Sequence, residues 1–104
     1  MQRGEIWWAD LPEPAGRHPV VILSRNKAVQ VREFITAAEV TGTIRHIPVE
    51  VILHKSDGMS KECVVNLDSI YTISKKFLSK KIADLNSTKL EAVETALKFA
   101  LDLK

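Results

Sequence analysis

In the stretch AGRHPVVILSRN, Ala15 to Asn26, a guanidinium and an imidazole, Arg17 and His18, stand directly ahead of a proline and an apolar run. Further on, VTGTIRHI sets the hydroxyl of Thr41 shortly before a second cationic pair, Arg45 and His46. Together these side-chain types can handle a phosphodiester. Arginine supplies fixed positive charge, and imidazole, with a free pKa of about 6.5, exchanges a proton near neutrality. A threonine hydroxyl can donate a hydrogen bond to a phosphoryl oxygen. RNA brings its own nucleophile, the 2′-hydroxyl. Its scission therefore needs orientation, proton transfer and charge stabilisation at phosphorus, all within the reach of side chains. The alternative is a set of solvated turns, because loops collect polar residues whatever their task.

Other chemistries drop out. The three histidines, His18, His46 and His54, are isolated in sequence, with no CxxC or carboxylate–histidine spacing beside them, so no metal site is expected. Gly4, Gly16, Gly42 and Gly58 are scattered and form no phosphate-cradling loop, and no G-x-S-x-G elbow is present. No cofactor is expected. Cys63, the single cysteine, lies in the apolar run ECVVNL and reads as a core thiol rather than a nucleophile.

A chain of 104 residues with 45% apolar and 27% charged side chains is expected to form one domain, 1–104, with a sizeable core. The formal charge of +2 permits nucleic-acid binding without demanding it. Between Gly16 and His46 the cations Arg17, Arg25, Lys27, Arg32 and Arg45 outnumber Glu33 and Glu39; Lys75, Lys76, Lys80 and Lys81 make a second cluster. The N-terminus MQRGEIWWADL is too short and polar for a signal peptide, and no run nears the roughly 20 apolar residues of a membrane span. A lone cysteine suits a reducing cytoplasm.

The elements that would position these residues are mostly short strands. EIWWADL reads as the first, ended by the Pro12–Pro14 loop, and PVVILS as a central strand. Trp7 and Trp8 must then point to opposite faces. NKAVQVRE fits a helical turn or a loop. FITAAEVT and PVEVIL look like strands joined hairpin-fashion, with Arg45 and His46 at the tip. ECVVNL and YTI follow as two further short strands. From Thr88 the period changes: Leu90, Val93, Leu97 and Leu101 recur at helical spacing, and Ser87 or Thr88 can cap the helix. Phe77 and Phe99 read as core. The fold class is α+β, a small curled antiparallel sheet or barrel closed by a C-terminal amphipathic helix.

Five segments in order, RGEIWWADLPEP, HPVVILSRN, VTGTIRHIPVEV, VVNLDSIYTISKKFL and the closing helix, resemble the MazF/PemK family of toxins over essentially the whole chain. The resemblance implies an SH3-like barrel, a homodimer, and a sequence-specific, metal-independent endoribonuclease. Such an enzyme cuts single-stranded RNA to a 2′,3′-cyclic phosphate and a 5′-hydroxyl. It also implies a small cognate antitoxin, MazE-like, whose acidic C-terminal tail fills the RNA groove.

The departures from the family pattern fall on the site. Members usually carry a longer first loop that ends in an arginine immediately before the proline. Here His18 holds that place, with Arg17 one step earlier, so Arg17, His18 and Thr41 are the candidate catalytic set. In one branch an Arg-x-Asp pair follows the double valine; here the segment is VVNLD, with Asn66 for the arginine and Asp68 keeping the acid. Asp68 can equally cap the turn DSIYT. Arg25, Arg45, His46, Asn66 and Asp68 are the candidate RNA contacts. Three alternatives stand beside the nuclease: a gyrase poison of the CcdB type on the same fold, an RNA-binding relative of feeble activity, and an SH3-like adaptor that binds only peptide.

Overall fold

The computed structural model describes residues 1–104. Its strands are β1 (Glu5–Asp10), β2 (Arg17–Ile22), β3 (Phe34–Thr41), β4 (Glu50–Leu53), β5 (Cys63–Ser74) and β6 (Leu78–Asp84). All pair antiparallel in one sheet of order β4-β5-β3-β2-β1-β6. A short helix, α1 (Asn26–Val31), links β2 to β3, and α2 (Ser87–Ala100) follows the last strand. This is the expected α+β architecture, a curled SH3-like antiparallel sheet with a C-terminal helix. The edges β4 and β6 do not hydrogen-bond to each other, so the barrel is half open. No helix is long and apolar enough to cross a membrane.

The apolar run of β2 is continuous because both faces of the strand are covered. Val21 joins Ala38, Val40, Val51 and Val65 in a core beneath Val93 and Ala96 of α2. Val20 and Ile22 turn the other way, into a second cluster with Ile35, Ala37, Ile73 and Val29 of α1. Each fully buried aliphatic side chain contributes about 1.5–3 kcal/mol. Trp7 packs on the second cluster, while Trp8 points to the opposite face as strand periodicity requires.

Several local expectations are corrected. β2 begins at Arg17, not at Pro19, so the cationic pair is strand-borne rather than in the loop. β3 and β4 do not form a hairpin, because β5 pairs with both and lies between them. ECVVNL and YTI belong to one strand of 12 residues. Its ladder with β3 jumps from Asn66 opposite Glu39 to Ile70 opposite Ala38, leaving Leu67 to Ser69 as a bulge. The lysine cluster holds a further strand, β6, which pairs with β1. The cap of α2 is Asn86, whose side chain accepts the Lys89 N–H, rather than Ser87 or Thr88. Leu101 and Phe99 are exposed, at 49% and 61%, and are not core residues.

Glu5 ties β1 to its surroundings. Its Oε1 accepts the Trp7 indole N–H at 2.9 Å and the Gln2 N–H at 3.0 Å, and its Oε2 lies 3.2 Å from Lys81 Nζ. Burial pushes this carboxyl up, but those hydrogen bonds and the Lys81 charge outweigh it, so its pKa is lowered. A carboxyl held low in the folded state stabilises the fold above its unfolded pKa and loses that contribution as pH falls through the folded value. The Glu5→Gln variant is expected to be less stable at neutral pH by about 1–3 kcal/mol. Its deficit should shrink on acidification, as urea midpoints at neutral and acid pH will show.

Candidate active site

β2 and β3 pair only at Val20–Glu39, Val21–Ala38 and Ile22–Ala37. The next residue outward, Pro19, has no N–H to give to a ladder, and there the strands part. Continued past that point, the register sets His18 opposite Thr41. A cleft of about 500 Å³ opens between the parted strands. Arg17, His18 and Thr41 line it, with Trp8 of β1, Ile82 of β6, and Met59, Ser60 and Lys61 from the β4–β5 loop. That loop reaches β6 at Gly58, whose φ is +97°; a Cβ added there would lie 2.7 Å from the Ala83 Cβ. Loop packing thus partly closes the half-open barrel and builds one wall of the cleft.

Adjacent strand residues point to opposite faces, so Arg17 and His18 diverge. The Arg17 guanidinium lies over the Trp8 ring at 4.5 Å, and its Nε is 3.1 Å from Asp10 Oδ1. The side chains of that ion pair are 57% and 48% exposed, so it contributes only about 0–1 kcal/mol and an arriving phosphate can compete for the guanidinium. His18 instead meets Tyr71 of β5, with Nε2 and Oη 2.8 Å apart and the rings edge to face. Burial, with the negative charge of Glu39, pushes the Tyr71 hydroxyl up to about 12, so it keeps its proton. Thr41 Oγ1 accepts the Thr43 N–H at 3.2 Å, which leaves the hydroxyl proton to donate. Cys63 also lines the cleft but is buried, and burial raises its thiol pKa; it suits packing, not attack.

Of the residues singled out from sequence, the cleft gathers Arg17, His18 and Thr41 and leaves the other five outside. Arg25 is exposed at the N-cap of α1. Arg45 and His46 are exposed in the β3–β4 connection, where their backbone N–H groups both donate to Glu50 Oε1 at 3.0 Å. Asn66 is buried, and its Oδ1 accepts the Asp68 N–H at 2.9 Å across the bulge. Asp68 is exposed there. Here the asparagine caps the bulge, not the aspartate.

Sequence inspection missed Lys61. Its ammonium lies 3.4 Å from where a Gly42 Cβ would stand, beside Thr41, and it forms none of the chain's ion pairs. Nothing in HKSDGMSK marks it, because only the fold of the loop brings it to the strand end. An unpaired ammonium in a cleft with an arginine and a histidine is suited to a phosphate. Lys61→Ala is expected to weaken single-stranded RNA binding and to lower the slope of log affinity against log salt by about 0.7. Titrations at several salt concentrations will show whether the slope moves.

Comparison with known proteins places the chain. Probable endoribonuclease MazF5 of Mycobacterium tuberculosis is 39% identical over 101 residues, covering 96% of this chain and 92% of that protein. A mycobacterial endoribonuclease solved in complex with its cognate antitoxin superposes with a TM-score of 0.90 at 30% identity, over 100% of this chain and 97% of that one. The M. tuberculosis toxin MazF-mt6 gives 0.88 at 29% identity, over 96% and 98%. Residues 2–101 match the family described as PemK-like, MazF-like toxin of type II toxin-antitoxin system, and to that family this chain belongs.

Proposed function

We propose that this protein is the toxin of a toxin–antitoxin pair, a metal-independent endoribonuclease that cuts single-stranded RNA at specific sequences. The observation that carries this is one cleft lined by Arg17, His18, Thr41 and Lys61, in a chain of this family. A phosphodiester seated there meets fixed charge from Arg17 and Lys61, a hydroxyl donor in Thr41 and a titratable imidazole in His18. The 2′-oxygen attacks phosphorus as the P–O5′ bond breaks. The 2′-hydroxyl proton is lost and O5′ gains one, leaving a 2′,3′-cyclic phosphate and a 5′-hydroxyl. Arg17 and Lys61 act on the charge that builds on the phosphoryl oxygens, where fixed cations have their largest effect. Charge stabilisation and protonation of the leaving oxygen fall to these side chains, and the proposed reaction uses no metal.

The protein works in the cytoplasm as a homodimer. Val31 and Phe34 at the α1–β3 turn, and Phe99, Leu101 and Leu103 at the chain end, are exposed apolar side chains that a second copy would cover. The cognate antitoxin offers an acidic segment to the same cationic cleft and so excludes RNA. Purified protein incubated with a long single-stranded RNA and a chelator is expected to make discrete cuts bearing 5′-hydroxyls. RNA left intact, with or without added divalent ions, would contradict the proposal and favour the non-cleaving, gyrase-directed toxin of the same fold.

A further inference from the structure

We propose that Tyr71 is a positioning residue that makes His18 the general acid, delivering a proton to the departing 5′-oxygen. The inference rests on the nuclease function proposed above and adds the direction in which the imidazole moves its proton.

Tyr71 sits on β5, outside the walls of the cleft, and His18 on β2 lines it. Their one polar contact joins His18 Nε2 to Tyr71 Oη at 2.8 Å. Tyr71 has no other side-chain hydrogen-bond partner, and burial together with nearby Glu39 disfavours loss of its proton. A half-buried phenol needs an acceptor for its O–H, and the Nε2 lone pair is the acceptor within reach. Neutral His18 is then protonated on Nδ1, because the two ring nitrogens share one proton. Nδ1 has no hydrogen-bond partner within the protein, and His18 is among the residues that line the cleft.

A neutral imidazole so held offers the cleft an N–H, not a lone pair, and cannot take the 2′-hydroxyl proton through Nδ1. The imidazolium offers the same N–H. Its Nε2–H now donates to Tyr71, whose hydroxyl turns to accept, so the ring need not move between states. In the reaction the 2′-O–P bond forms, the P–O5′ bond breaks, and Nδ1 passes its proton to O5′. The 2′-hydroxyl proton leaves to water, and His18 is recharged from solvent. The neighbouring charges are Glu39 on β3, Arg17 paired with Asp10 at the rim, and Lys61 on the loop.

The test compares Tyr71→Phe and His18→Ala on two substrates, one with the natural 5′-oxygen and one with a bridging 5′-sulfur. Sulfur leaves as a thiolate without protonation. Both variants are expected to be slow on the oxygen substrate, Tyr71→Phe by roughly tenfold, and near the unsubstituted protein on the sulfur substrate. Equal defects on both substrates would overturn the acid assignment, since a base or a structural role is indifferent to the leaving atom. Nitrogen NMR of neutral His18 gives a readout apart from activity: the Nδ1–H tautomer is expected, and the Nε2–H tautomer would overturn the pairing. No cleavage by the unsubstituted protein would refute the nuclease itself. Cleavage with the wrong substrate pattern would refute only the role of Tyr71.

Discussion

Replacing His18 with alanine is expected to slow RNA cleavage by about 10²–10⁴-fold, the range for loss of a positioned proton-transfer group. No neighbour can take over. Arg17 leaves β2 on the opposite face and cannot exchange a proton near neutrality, and Tyr71 holds its own up to about 12. Loss of Arg17 should be milder, because its charge is partly met by Asp10 and Lys61 supplies a second cation to the same cleft. The His18 variant also strands the Tyr71 hydroxyl, at a cost of about 1–3 kcal/mol in stability. The rate comparison therefore belongs well below the unfolding midpoint, with circular dichroism showing an intact fold. A variant that cuts RNA within a factor of a few of the parent would remove His18 from the chemistry.

Gly58→Ala is expected to destabilise the protein by about 2–4 kcal/mol, more than a loop substitution ordinarily does. Two separate penalties meet there. At φ +97° an L side chain is strained by about 1–2 kcal/mol. The new Cβ would also stand 2.7 Å from the Ala83 Cβ, closer than two carbons approach, so the loop must lift from β6. The lifted segment carries Met59, Ser60 and Lys61, so RNA affinity should fall along with stability. Adding Ala83→Gly removes the clash but not the backbone strain, and should recover only part of the loss. Urea midpoints of the single and double variants separate the two, and an unchanged midpoint for Gly58→Ala would show that this loop does not brace the sheet.

The fold was legible wherever burial imposes a period. β2 and the inward stripe of α2 stand out because Val20 to Ile22 are covered on both faces and Leu90, Val93 and Leu97 on one. β6 was not, because an edge strand tolerates and even favours lysine, and adjacent Lys80 and Lys81 break the alternation that marks a half-buried strand. The bulge at Leu67–Ser69 imitated a turn, since Asn, Asp and Ser supply the same local hydrogen bonds in both. The hairpin between β3 and β4 failed for a topological reason: strands consecutive in sequence need not be neighbours, and β5 took the place between them. At the site, Arg17, His18 and Thr41 were visible as residue types, but their arrangement was not. It depends on where β2 starts and where Pro19 ends the ladder, and Lys61 and Tyr71 arrive from elements distant in sequence.

The most direct measurement uses a short RNA spanning one mapped cleavage site, made twice, with ribose or with 2′-deoxyribose at the nucleotide 5′ to the scissile bond. With a chelator present, the all-ribose strand is expected to be cut to a 2′,3′-cyclic phosphate and a 5′-hydroxyl, and the single-deoxy strand to survive. Cleavage of the deoxy strand, or products ending in a 5′-phosphate, would mean that water and not the 2′-oxygen attacks. The cleft between β2 and β3 would then be doing different chemistry.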